Sequence, residues 1–228
     1  MKLNVLCLYQ DIMNLYGDTG NIKVLKYHLD ELNIKYNIDY LSIDDELNLE
    51  KYNLIMIGSG TEENRKIVLN HLKKYKKELK EQIENNKFFL ITGNALSMFG
   101  KTLYNEKALG IFDFEVIESK ERISKEVIIE SDITNPIYGF INHQDINNND
   151  KDFLFKDEGI HYKNFYGSYI TGPILSRNPE FLEYFINDLL TQKDKKYKSK
   201  KINTSLNKKA YEEFIEFKKT KVFNSKKA

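Results

Sequence analysis

The 228-residue sequence contains no Trp, a single Cys, three Pro and four His. One cysteine excludes an internal disulfide framework and fits a reducing compartment. Four scattered histidines beside that lone Cys7 lack the spacing of a zinc site, so no metal or cofactor is expected. No stretch approaches the roughly eighteen apolar residues needed to cross a bilayer, and Met1 to Tyr9 lacks the layout of a signal peptide. The expected location is therefore cytoplasmic. A net charge of +1 supplies no global attraction to nucleic acid or to a membrane.

Several features are plentiful. Tyr and Phe together number 29 and must supply the aromatic packing. Charge is unevenly placed: from Lys193 onward thirteen lysines face four acidic residues, so the preceding body carries about −8. Residues 1–190 form one expected domain, and residues 191–228 a lysine-rich extension. That extension is expected to be largely mobile, with a short helix near Lys209 to Lys219 presenting Tyr211, Phe214, Ile215 and Phe217. It reads either as a solvated appendage or as a docking element for a partner or an anionic surface.

Hydrophobic patterning places strands at Leu3–Tyr9, Tyr36–Leu41, Leu54–Ile57 and Phe88–Ile91. Between them, Ile22, Leu25, Leu29 and Leu32 recur at the spacing of one buried helix face. A long helix is expected from Glu63 to Asn85, with Ile67, Leu69, Leu72, Tyr75 and Leu79 as its apolar residues. Alternating strands and helices predict an α/β fold with a mostly parallel sheet flanked by helices. Residues 111–170 read as shorter strands and turns, and a closing helix follows Pro179. In such sheets ligands sit at the carboxyl ends of the strands. Two loops stand out there, Gly58-Ser59-Gly60 and Thr92-Gly93-Asn94.

Three longer stretches carry a resemblance. Tyr9-Gln10-Asp11-Ile12-Met13-Asn14-Leu15-Tyr16-Gly17-Asp18-Thr19-Gly20-Asn21 is similar to Tyr-Pro-Asp-Leu-Met-Asn-Leu-Tyr-Gly-Asp-x-Gly-Asn, with Gln10 in place of Pro. Gly139-Phe140-Ile141-Asn142-His143 is similar to Gly-Phe-Glu-Asn-His. Gly167-Ser168-Tyr169-Ile170-Thr171-Gly172-Pro173 is similar to Gly-Thr-Tyr-Leu-His-Gly-Pro, and the likeness runs on to Asn178-Pro179. Together they resemble the GatD-like branch of the cobyric-acid-synthase type of class I glutamine amidotransferases, over about residues 3–190.

The resemblance implies a flavodoxin-like three-layer fold and a Mur-ligase-like protein subunit as partner in peptidoglycan precursor amidation. In active relatives a cysteine on a tight strand-to-helix turn attacks the side-chain amide of glutamine. The histidine of His-Gly-Pro acts as base, backbone N–H groups hold the oxyanion, and the ammonia passes to the partner. Here Thr171 stands at the base position. The Cys-Gly-Gly-Tyr-Gln turn aligns with Thr92-Gly93-Asn94-Ala95-Leu96, which puts Thr92 at the nucleophile position. A shift of one residue puts Gly93 there instead, and neither alignment supplies a cysteine. An internal threonine needs an activating base to attack an amide. Gly60 and Gly93 are the candidate oxyanion or ligand-binding residues, and Arg122 the candidate carboxylate-binding residue. Arg122 reads equally as a surface charge among Glu118, Lys120 and Glu121. Cys7 reads as a buried structural thiol, and His143 as a hydrogen-bonded histidine in a turn.

The expectation is an amidotransferase-like subunit without glutaminase activity, acting structurally or as a regulator, with glutamine binding without cleavage left open. Two alternatives stand beside it. One is an active enzyme using Thr92 or a residue lent by the partner. The other is a binding module for an amino acid or amide.

Overall fold

A computed structural model describes residues 1–131, 133–147 and 158–225. Its centre is a six-stranded sheet built from β1 (Lys2–Leu8), β2 (Lys35–Leu41), β3 (Leu54–Ile57), β4 (Phe88–Thr92), β9 (Ile160–Tyr162) and β10 (Phe165–Ser168). The spatial order is β2-β1-β3-β4-β10-β9, parallel from β2 to β10, with β9 antiparallel at the edge. β3 and β4 are buried along their whole length, which is why they read as unbroken apolar runs rather than alternating ones.

Chain direction across the sheet reverses between β1 and β3. Right-handed crossovers then put α1 (Thr19–Glu31) on one face, and α2 (Glu62–Leu72) and α3 (Lys76–Glu84) on the other. The loops after β1, β3 and β4 converge at this reversal. α4 (Ile174–Arg177) and α5 (Pro179–Lys193) follow the last strands, and α5 buries Phe181, Leu182, Phe185, Ile186, Leu189 and Leu190.

The long helix expected over 63–85 is instead two helices separated by a 3-10 turn at Lys73–Tyr75. At this break the Tyr75 hydroxyl accepts from the Leu47 N–H, and in the next turn Glu78 accepts from the Leu49 N–H. The buried position in α2 is Val68, while Ile67 is half exposed.

The second half differs more. β7 (Glu115–Ile129) and β8 (Ile137–Asn147) are long antiparallel strands, not short ones. With β5 (Thr102–Leu103), β6 (Glu106–Lys107) and β11 (Ile170–Thr171) they form a second sheet in the order β11-β8-β7-β5-β6. From Ile137 to Asp145 β8 alternates strictly between buried and half-buried residues, as expected of a sheet with one covered face. The stretch 161–165 is two strands joined by a turn at Lys163, whose φ is +53.

The extension is also more ordered than expected. α6 spans Ser205–Ser225 and lies against the body. Phe214 stacks on Tyr138 with ring centroids 3.6 Å apart, the Tyr211 hydroxyl donates to the Pro136 carbonyl, and Lys218 pairs with Glu126. Positions 226–228 lie outside the described residues.

Candidate functional site

β4 ends at Thr92, which is still extended, and a 3-10 helix begins at Gly93. Gly93 has φ +61, a region that costs a side-chain-bearing residue about 1 kcal/mol or more. It is therefore the residue of the tight turn. A Cβ added to it would fall on Ser59 Oγ, 2.8 Å from Ser59 Cβ and 3.3 Å from Thr171 Cγ2. The direction in which a side chain would leave this turn points between Ser59 and Thr171. No nucleophile projects there, and the Ser59 side chain fills the space.

Thr92 lies elsewhere. Its hydroxyl donates to Asp18 Oδ1 at 2.5 Å, and it lines a cavity of about 30 Å³ with Cys7, Gln10, Asn14, Asp18 and Leu90. That volume accommodates roughly one water molecule. Of the two alignments, the turn geometry supports the one that puts Gly93, not Thr92, opposite Thr171.

Asp18 is the hub of the converging loops. Its carboxylate accepts from the Thr92 hydroxyl, the Ser59 N–H at 3.0 Å and the Gly172 N–H, so it ties the ends of β3, β4 and β11 to the start of α1. Burial pushes its carboxyl above the usual range, and these donors pull it partly back. Asn94 makes a second clamp. Its Oδ1 accepts from the Gly60 N–H at 3.1 Å, and its Nδ2 donates to the Gly60 carbonyl at 2.8 Å. The Gly60 N–H, the expected oxyanion donor, is thus used by Asn94 in this structure. With Gly93 at the turn, the N–H following the nucleophile position belongs to Asn94 rather than to Gly93.

Thr171 is buried, and its hydroxyl donates to the Phe140 carbonyl at 2.9 Å across the β11–β8 pair. The hydroxyl's proton is therefore turned toward the second sheet. Arg122 is partly exposed and ion-paired to Glu62 at 2.5 Å, with further hydrogen bonds to Asn142 and Gln144. Asn142 in turn donates to the Tyr16 hydroxyl at 2.7 Å. Arg122 therefore belongs to a polar group that brings the second sheet against the start of α2, with one guanidinium nitrogen on the Glu62 carboxylate and the other on Asn142.

The remaining thiol and imidazoles fall outside this arrangement. Cys7 is buried and its thiol is pushed up to about 12, which leaves it without nucleophilic thiolate near neutral pH. His143 lies in a strand rather than a turn. It stacks on Tyr169 and its Nδ1 pairs with the Asp145 carbonyl at 2.9 Å. Burial lowers its pKa, so it is held neutral.

A buried ion pair, unmarked by the sequence, supports the turn from below. Arg65 donates to Asp145 at 2.6 Å and to Ser97 at 2.8 Å, Ser97 donates to the Asn94 carbonyl, and the Tyr104 hydroxyl donates to Asp145. Arg65 lies among the polar positions of a helix whose apolar pattern does not single it out, and Asp145 alternates inward only once β8 is recognised as one long strand. Among the described residues no group of His, Cys, Asp and Glu could hold a metal ion, and no helix is long and apolar enough to cross a membrane.

Comparison with known proteins agrees with this architecture. Residues 4–179 match the CobB/CobQ-like glutamine amidotransferase domain. The chain is 30% identical to the lipid II isoglutaminyl synthase (glutamine-hydrolyzing) subunit GatD of Staphylococcus aureus, covering 89% of this chain and 90% of that protein. It is 28% identical to the GatD subunit of Streptococcus pneumoniae, over 84% and 82% of the two chains. The structure resembles PurLQS from Thermotoga maritima with a TM-score of 0.51 at 17% identity, covering 83% of this chain and all of that one. A glutamine amidotransferase of the same organism gives 0.51 at 16% identity, over 84% and 86%. These last two likenesses concern the fold alone. The chain belongs to the family of CobB/CobQ-like glutamine amidotransferase domains.

Proposed function

We propose that this chain is a GatD-type subunit that does not hydrolyse glutamine and instead serves as the structural or regulatory partner of a Mur-ligase-like subunit amidating a peptidoglycan precursor. The observation that carries the reading is the turn at Gly93. The position aimed at Thr171 holds no side chain, and Ser59 occupies the volume that an attacking sulfur would need. Nucleophilic catalysis on an amide requires a nucleophile and a base within hydrogen-bond reach. Neither Gly93 nor Thr171 supplies one.

The alternative of a threonine nucleophile has one supporting contact, the Thr92–Asp18 hydrogen bond. A carboxylate accepting from a hydroxyl is the polarity needed for deprotonation. The same carboxylate also holds Ser59 and Gly172, and the adjoining cavity has room for about one water. The contact thus reads as a staple between loops. The third reading, a binding module for glutamine or another amide, is disfavoured by the Asn94–Gly60 clamp and by the Arg122–Glu62 pair, which use the groups a ligand would contact.

The relatives' role as subunits of lipid II isoglutaminyl synthase supports the partnership. The test is amidation by the purified complex of this chain with a Mur-ligase-like subunit, supplied with either ammonium or glutamine. The expected result is a stable complex that amidates its precursor with ammonium and not with glutamine. Glutamine-driven amidation overturns the loss of hydrolysis, and failure to form a complex overturns the partnership.

A further inference from the structure

Between α5 and α6 the chain runs as an extended strap, residues 194–204. It carries Lys195, Lys196, Lys198, Lys200 and Lys201, all exposed. None of the five takes part in an ion pair among the described residues. The strap is fixed to the body. Asn187 of α5 accepts from the Lys200 N–H and donates to its carbonyl, both at 2.9 Å. Asp194 accepts from the Lys196 N–H through its side chain and from the Tyr197 N–H through its carbonyl. Tyr197 leans inward, its hydroxyl on Asn187, and Ile202 is buried.

We infer that this strap is a docking surface for an anionic lipid bilayer. A solubilising surface intersperses both signs of charge. Here five like charges are gathered on an anchored segment while residues 1–192 carry about −8. The C-terminal dipole of α5 favours cations within about one turn, which accounts for Lys195 and Lys196 and leaves Lys198, Lys200 and Lys201 unexplained. The anchored side chains, Tyr197 and Ile202, turn inward, so what the strap shows to its surroundings is ammonium groups. Clustered lysines are attracted additively to an anionic membrane within a Debye length, about 8 Å at physiological salt. Nucleic acid is the poorer match. A single-strand site combines charge with exposed aromatic stacking platforms, and the strap has no Arg and turns its one aromatic ring inward. Under the proposed function, and resting on it, the strap would hold the complex where a lipid-linked precursor resides.

The test is co-sedimentation of the full chain with vesicles of phosphatidylglycerol and phosphatidylcholine, against phosphatidylcholine alone. A variant with all five lysines changed to Gln is compared with one in which they are changed to Arg. The expected result is a partition at least ten-fold higher on the anionic vesicles. Half-molar salt and the Gln variant abolish it, and the Arg variant keeps it. Three results overturn the inference: no partition onto anionic vesicles, unchanged partition of the Gln variant, or tighter binding to DNA than to vesicles at matched phosphate concentration. Glutamine takes no part in the assay, so its outcome is independent of whether the chain hydrolyses glutamine.

Discussion

Ser59 and Gly93 are spatially complementary: the Ser59 side chain occupies the place into which a Cβ of residue 93 would project. Either position can carry a side chain, but not both without movement. A lost nucleophile alone would leave a hole at this turn. Instead the hole is filled, and the hydroxyl that fills it is buried with no hydrogen-bond partner among the described residues. The turn is closed by packing.

This exclusion predicts a strong coupling. Gly93→Cys alone should destabilise the fold by about 2–4 kcal/mol, combining overpacking with a left-handed backbone conformation at a non-glycine residue. Adding Ser59→Gly should recover at least about 1 kcal/mol of that loss. Urea unfolding of the two single variants and the double variant measures the coupling, and strict additivity would contradict the geometry.

The first half of the fold was legible because its strands and helices are periodic and its loops bear glycine punctuation. β7 and β8 were not, since β7 is exposed at most positions and carries no apolar alternation to mark its length. The candidate turn was legible to within one residue, but not which residue makes it. Thr92 and Gly93 were both open, and the discriminating signal was conformational: a glycine after a buried strand marks the residue that turns with positive φ. Nothing in the string Gly58-Ser59-Gly60 tells which way the serine points. The same holds for Asn94, whose clamp on Gly60 joins residues 34 apart in sequence. The strap was misread as mobile because its fixing contacts come from Asn187, a polar residue on a distant turn of α5.

Occupancy of Arg122 and Gly60 predicts that the chain does not bind free glutamine. Glutamine at 10 mM (roughly a hundredfold above a 0.1 mM dissociation constant) should leave the melting temperature unchanged, whereas binding at that level would stabilise by about 2.7 kcal/mol. A shift that disappears with Arg122→Ala would show that the Glu62 pair opens to admit a carboxylate.

Glu158 gives a pH signature. Its carboxylate accepts from the Tyr169 N–H at 2.6 Å and from the Ser168 hydroxyl, yet burial outweighs both and pushes its pKa up to about 7. A carboxyl raised in the folded state contributes stability that is complete below its ordinary value of 4.5 and lost as pH rises through 7. His71, His143 and His161 are lowered by burial and act in the opposite sense, so the comparison must be with Glu158→Gln at each pH. Between pH 5 and pH 8 the wild type should lose on the order of 2 kcal/mol relative to the variant. Parallel stability curves would contradict the assignment.

The measurement that bears most directly on the central claim is glutamate release from glutamine by this chain, alone and with the proposed Mur-ligase-like partner, beside Thr92→Ala and the triple variant Ser59→Gly, Gly93→Cys, Thr171→His. The account predicts no release from the wild type or from Thr92→Ala, and none from the triple variant, in which Asn94 still holds the Gly60 N–H and Glu62 still pairs with Arg122. Turnover by the wild type that falls by several orders of magnitude in Thr92→Ala would contradict it, because a threonine would then have taken over the attack.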